Sequence, residues 1–97
     1  MLELRPICEN CAKALPPNST EAMICTYECT FCKDCVEDVL HNVCPNCDGG
    51  NFSPRPIRVK SQLQKDPAAT VEKHRPVDIE KHNELLSRRR NVPPELR

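Results

Sequence analysis

All eight cysteines of the 97-residue chain lie between Cys8 and Cys47, spaced Cys8-x2-Cys11-x13-Cys25-x3-Cys29-x2-Cys32-x2-Cys35-x8-Cys44-x2-Cys47. A two-residue gap lets a tight turn aim two sulfurs at one ion, and four thiolates satisfy the tetrahedral preference of Zn²⁺ at about 2.3 Å. Eight thiolates therefore imply two closed sites and two Zn²⁺ ions. The competing explanations ask for features this chain lacks. A disulfide scaffold needs an oxidising compartment, yet Met1-Leu2-Glu3-Leu4-Arg5-Pro6 has neither the basic start nor the apolar stretch of an export signal. No apolar run approaches the roughly 18 residues of a membrane span, so a cytoplasmic location is expected. The spacings match neither ferredoxin pattern, and no β-α-β surroundings exist for a thioredoxin-like motif.

Composition explains why metal would be needed. With 38% hydrophobic and 3% aromatic residues, a chain this short cannot bury a sizeable apolar core, and a deep-pocketed enzyme is not expected. Binding free energy of a structural metal is folding free energy, so the metal-free form should not fold.

The segregation of cysteine draws a boundary near Gly49-Gly50, between a metal module over residues 1–50 and a tail over residues 51–97. Residues 1–50 hold three Lys/Arg against eight Asp/Glu, and residues 51–97 hold eleven against six. In the tail, Phe52 to Arg58 should be an extended, Pro-rich connector, because proline fixes φ and pushes its predecessor out of helix. Asp66-Pro67 reads as an N-cap and first helical residue, predicting a helix over 67–75 that Pro76 ends. Asp78 caps a second predicted helix over 79–90, stopped by Asn91 and Pro93-Pro94. Both are short enough to be marginal alone, which predicts a largely flexible tail. Arg88, Arg89 and Arg90 form its densest basic run, a candidate contact for an acidic partner or for phosphate.

Counting does not say which four cysteines share an ion. A sequential pairing joins Cys8, Cys11, Cys25 and Cys29; an interleaved one joins the first pair to the third. The full series of spacings, with Cys29-Thr30-Phe31-Cys32-Lys33-Asp34-Cys35-Val36 at its centre and Cys44-Pro45-Asn46-Cys47 at its end, resembles the RING finger family. That resemblance covers residues 8–47. It implies a cross-brace, with Cys8, Cys11, Cys32 and Cys35 on the first zinc and Cys25, Cys29, Cys44 and Cys47 on the second. The expected fold is a small zinc-stabilised α+β unit with one short helix and a short β-hairpin, followed by an extended or partly helical tail. The helix should run from Cys35 to Asn42, with Val36, Val39 and Leu40 inward and Asn42 as a left-handed cap. Val43 should pack beside the second site, and Ile24, Tyr27 and Phe31 should supply the hairpin and the wall between the metals. The run from Leu2-Glu3-Leu4-Arg5-Pro6 to about residue 60 also resembles a family of small, uncharacterised, mostly bacterial cysteine-rich proteins, which implies a bacterial cytoplasm.

Three functional classes follow. A non-catalytic zinc-binding protein-interaction module, acting as a monomer on a protein partner, fits closed four-thiolate sites that leave no open position for water or substrate. Nucleic-acid binding through the basic tail is the alternative. With eight thiolates and two dications the first half would carry −9, a charge that repels phosphate. A ubiquitin-ligase component is the third, but this sequence departs from that pattern at Asn10, Val43 and Asp48. His41 reads as a surface residue at a helix end, and His74 and His82 as solvated side chains.

Overall fold

In the computed structural model, which describes residues 1–97, the first regular element is the expected hairpin. Strand β1 (Ala22–Ile24) pairs antiparallel with β2 (Thr30–Cys32), Ala22 facing Cys32 and Ile24 facing Thr30. The loop between them is the Cys25-x3-Cys29 segment, closed by the Glu28 amide donating to the Cys25 carbonyl at 2.9 Å. A third strand, β3 (Ser53–Pro54), was not expected. It adds to the other edge of β1, where the missing N–H of Pro54 does no harm because an edge strand has a side without partners. The extended connector thus becomes part of the sheet.

Helix α1 follows β2 without a loop. Its α-helical turn, Lys33–Cys35, continues into a π-helical segment, Val36–Leu40, so the helix starts two residues before Cys35 and Cys32 is its N-cap. Val36 and Leu40 are buried and Val39 packs against the core, the inward face read from the sequence. His41 and Asn42 both adopt left-handed backbone, with φ of 50° and 61°; two successive such residues turn the chain sharply from the helix into the Cys44 pair.

Half of the main core is sulfur. Of its twelve buried residues, six are cysteines, packed with Leu15, Ala22, Phe31, Val36, Leu40 and Phe52; this is the small hydrocarbon core that the composition permits. Phe31 meets Phe52 edge to face, ring centres 5.7 Å apart. Tyr27, by contrast, is 75% exposed and forms no wall between the sites, since it sits at the tip of the hairpin loop. Val43 is fully buried, but under Leu85 and Leu86 from the far end of the chain.

The tail departs most from expectation. No helix forms over 67–75. Instead α2 spans Lys60–Lys65 and Asp66 ends it. Gln62 Oε1 accepts the Val59 amide and starts that helix, while Pro67 forces Asp66 out of helical geometry, so the Asp-Pro pair acts as a stop. Residues 67–78 then carry no regular structure, and three of their amides are taken by the module: Ala69 donates to the Leu4 carbonyl at 3.0 Å, Arg75 to the Glu9 carbonyl at 2.8 Å and Val77 to Asn10 Oδ1 at 2.9 Å. Helix α3 (Ile79–Arg89) matches the second predicted helix, with Asp78 Oδ1 accepting the Lys81 amide at its start. A 3₁₀ turn, Pro94–Leu96, closes the chain. The tail therefore lies folded back on the module along its length rather than detached from it. Arg55, buried, fixes its root by donating to the carbonyls of Arg5, Leu15 and Pro16. No helix is long and apolar enough to cross a membrane.

Candidate metal centre

The two outer Cys-x2-Cys pairs fold into the same turn. The Cys8 carbonyl accepts the Ala12 amide and the Cys44 carbonyl accepts the Asp48 amide, each at 3.0 Å, and Ala12 and Asp48 take left-handed φ of 61° and 63°. A non-glycine residue there costs roughly 1–2 kcal/mol, a strain sustained where the turn must bring both sulfurs to one point. The middle pair uses another device: Cys32 at the N-cap and Cys35 three residues on share one face of the helix start.

These turns bring the sulfurs of Cys8, Cys11, Cys32 and Cys35 together, all within 4.8 Å of one another. The sulfurs of Cys25, Cys44 and Cys47 form a second group on the same criterion. Cys29 falls outside that mutual set, although the Cys44 and Cys25 thiols are near enough to shift its ionisation. The pairs alternate along the chain, first with third and second with fourth. Sequential grouping is excluded by the geometry.

Spacing and chemistry suit a metal. Four sulfurs at about 2.3 Å from a tetrahedral ion would stand about 3.8 Å apart; Cys11 and Cys32 are 3.7 Å apart, and Cys25 and Cys47 3.9 Å. The thiols also perturb one another. The Cys44 hydrogen bond to Cys29 holds Cys29 down at about 5 against the opposing effect of burial, and the same bond, with burial, drives Cys44 far above the ordinary thiol range. Burial pushes Cys25 up to about 11 and raises Cys32 and Cys35. Burial also opposes ionisation of Cys11, but hydrogen bonds from the Lys13 backbone and from neighbouring sulfurs outweigh it, leaving that thiol below its ordinary value. The first cluster thus holds one sulfur biased towards thiolate, Cys11, and the second has one at its border, Cys29, each beside others that burial would keep protonated. A dication resolves that conflict by taking the place of the protons.

Glu9 joins the two clusters. It is completely buried, next to Cys8. One oxygen, Oε2, accepts the Thr30 amide at 3.0 Å and Arg5 Nη1 at 2.9 Å; the other, Oε1, accepts Asn46 Nδ2 at 3.1 Å. Thr30 adjoins Cys29 and Asn46 lies between Cys44 and Cys47, so one carboxylate ties the first knuckle to two ligand segments of the second group. In the sequence the only signal of Glu9 and Asn46 is their position inside a Cys-x2-Cys pair.

The remaining candidates are placed as follows. Arg88 and Arg90 are exposed and Arg89 is half-buried. Arg88 lines a cleft of about 490 Å³ with Asn46, Asp48, Arg75, Val77 and Lys81, beside the last cysteine pair. His82 is buried, not solvated: its Nε2 bonds the Leu40 carbonyl at 3.0 Å, because α3 packs across the end of α1. His74, though exposed, bonds the Asn10 carbonyl at 3.0 Å.

A family model described as a protein of unknown function (DUF1272) matches residues 1–58, the stretch that holds all eight cysteines. An uncharacterised protein of Rhizobium meliloti is 56% identical over 71 residues, covering 73% of this chain and 83% of that protein. No solved structure matches the chain significantly.

Proposed function

This chain belongs to the DUF1272 family, and from its interleaved cysteine clusters we propose that it is a non-catalytic protein-interaction module built on two structural zinc ions, in the manner of a RING-like cross-brace. The carrying observation is the alternate convergence of the cysteine pairs, with six of the eight cysteines buried. Cys8, Cys11, Cys32 and Cys35 would hold the first ion. Cys25, Cys44 and Cys47 would hold the second, with neighbouring Cys29 swinging in as the fourth ligand.

Zinc supplies a cross-link between segments distant in sequence, and with it the stability that so little hydrocarbon cannot. Sulfur-only, four-coordinate sites leave no position for a reacting water. What this chain's own residues do is orient those ligands: Glu9 fixes the two knuckles relative to each other, and Asn10 Nδ2 donates to Cys35 Sγ at 3.4 Å. Such outer contacts set ligand orientation and metal affinity. Cytoplasmic residence, where thiols stay reduced, goes with this reading. Exposed Arg88, in the cleft beside the second cluster, and exposed Arg90, in a separate hollow with Glu37 and His41, are the contact points for an acidic protein partner.

Native mass spectrometry of the untagged chain with metal analysis tests this. Two zinc ions on a monomer are expected. A metal-free folded chain, or cysteines bonded to one another, would sink the proposal.

A further inference from the structure

Asn10 lies between two cysteines of the first cluster, and both polar atoms of its side chain and its carbonyl are engaged. Its Nδ2 reaches the Cys35 sulfur; its Oδ1 accepts the Val77 amide at 2.9 Å, and its carbonyl meets His74 Nε2 at 3.0 Å. The neighbouring Glu9 accepts the Arg75 amide with its carbonyl, and its side chain lies 3.5 Å from the Arg75 guanidinium. Residues 74–77 are therefore held by the backbone and side chains of one metal knuckle, whose left-handed turn depends on the two sulfurs being drawn together. Beyond that hold, α3 lays Leu85 and Leu86 over fully buried Val43, next to Cys44.

We propose that residues 69–97 form a strap locked by the first metal site, with Asn10 as the catch. Metal in the Cys8, Cys11, Cys32 and Cys35 cluster keeps the knuckle in the shape that receives Val77 and His74. Loss of that metal lets the strap lift, uncovering Val43 on the module and, on the strap's own inner face, Leu85 and Leu86. This regulation rests on the metal-binding reading above. Linkage makes the coupling reciprocal: if metal holds the strap, the strap must hold the metal.

The test compares the full zinc-loaded chain with Val77→Pro, which deletes the donated amide and the packing of Val77 on the core while leaving every residue of the module itself unchanged, and with Asn10→Ala, which removes the catch. A chromophoric chelator draws off the zinc, thiol alkylation reports which cysteines are freed, and hydrogen exchange follows the strap. Each variant is expected to release metal from the first cluster about tenfold faster, with early loss of protection over residues 69–89. In the parent, strap protection should fall in step with labelling of Cys8, Cys11, Cys32 and Cys35. First-site release at the parental rate in Val77→Pro overturns the proposal, as does a strap still protected once the first cluster alone is empty. A parent chain without metal defeats the metal reading itself and the strap with it, and its metal content shows this before any variant is compared.

Discussion

Glu9 is the residue on which most depends. Its carboxylate accepts from three donors in full burial, and Glu9→Gln would turn an amide donor towards at least one of them. Leaving a buried donor unsatisfied and a guanidinium unpaired costs about 2–4 kcal/mol, expected as a lowered denaturation midpoint at fixed free zinc. Gly50 is a second sensitive point. It adopts φ of +88°, and a methyl group there would stand 2.5 Å from the Asn42 carbonyl oxygen. Gly50→Ala should therefore destabilise the chain by about 1–3 kcal/mol, read by the same unfolding measurement, because the obstruction is backbone and cannot turn aside. Neither residue was legible beforehand: Glu9 looked like one of eight acidic side chains in the first half, and only the folded chain puts three donors around it.

Among the elements, α3 shows what local signals achieve. Asp78 was readable as a cap and performs as one, so Asp78→Ala should cost about 1 kcal/mol and speed exchange of the first-turn amides of α3 while leaving metal content at two ions. The Asp66-Pro67 signal failed through the same chemistry. An Asp-Pro pair can open a helix or end one, and the choice fell to Gln62, which helps start α2 seven residues too early for the other outcome, and to module carbonyls that claimed the amides of Ala69 and Arg75. Pairing of Ser53 and Pro54 with β1 was equally hidden, since a two-residue strand carries no alternation to read.

For the whole molecule, opposite charge of the two halves is not what holds them together. Two ion pairs join the halves: Lys73–Glu3, 3.7 Å apart and half exposed, and Arg75–Glu9, 3.5 Å apart with the guanidinium mostly exposed; pairs with so exposed a cation are worth about 0–1 kcal/mol. The strap is held by hydrogen bonds at Glu9, Asn10 and Leu40, by apolar burial at Val43, and by Arg97, which donates to the carbonyls of Asn42 and Gly49 at 2.8 Å. Molar salt should thus leave hydrogen-exchange protection of α3 nearly unchanged, whereas chelation should abolish the module's structure by circular dichroism. Acid should act like a chelator. Metal requires thiolates and protons compete for the same sulfurs, so zinc retention is expected to be complete at neutral pH and to fall as pH drops towards about 5, where Cys29 is held, measured by metal content after desalting at each pH.

The cysteine spacing by itself determined that this chain gathers its sulfurs into metal-ligand turns, because a two-residue gap is a local constraint that any fold must obey. Helix α1, its inward face and the start of α3 were local in the same sense. Which sulfurs meet, and with them the bordering place of Cys29, was decided only when the hairpin and α1 carried the second and third pairs past each other. The docking of the tail was decided there too: its anchors are backbone carbonyls and two buried polar side chains, groups that acquire direction only once the knuckles are folded.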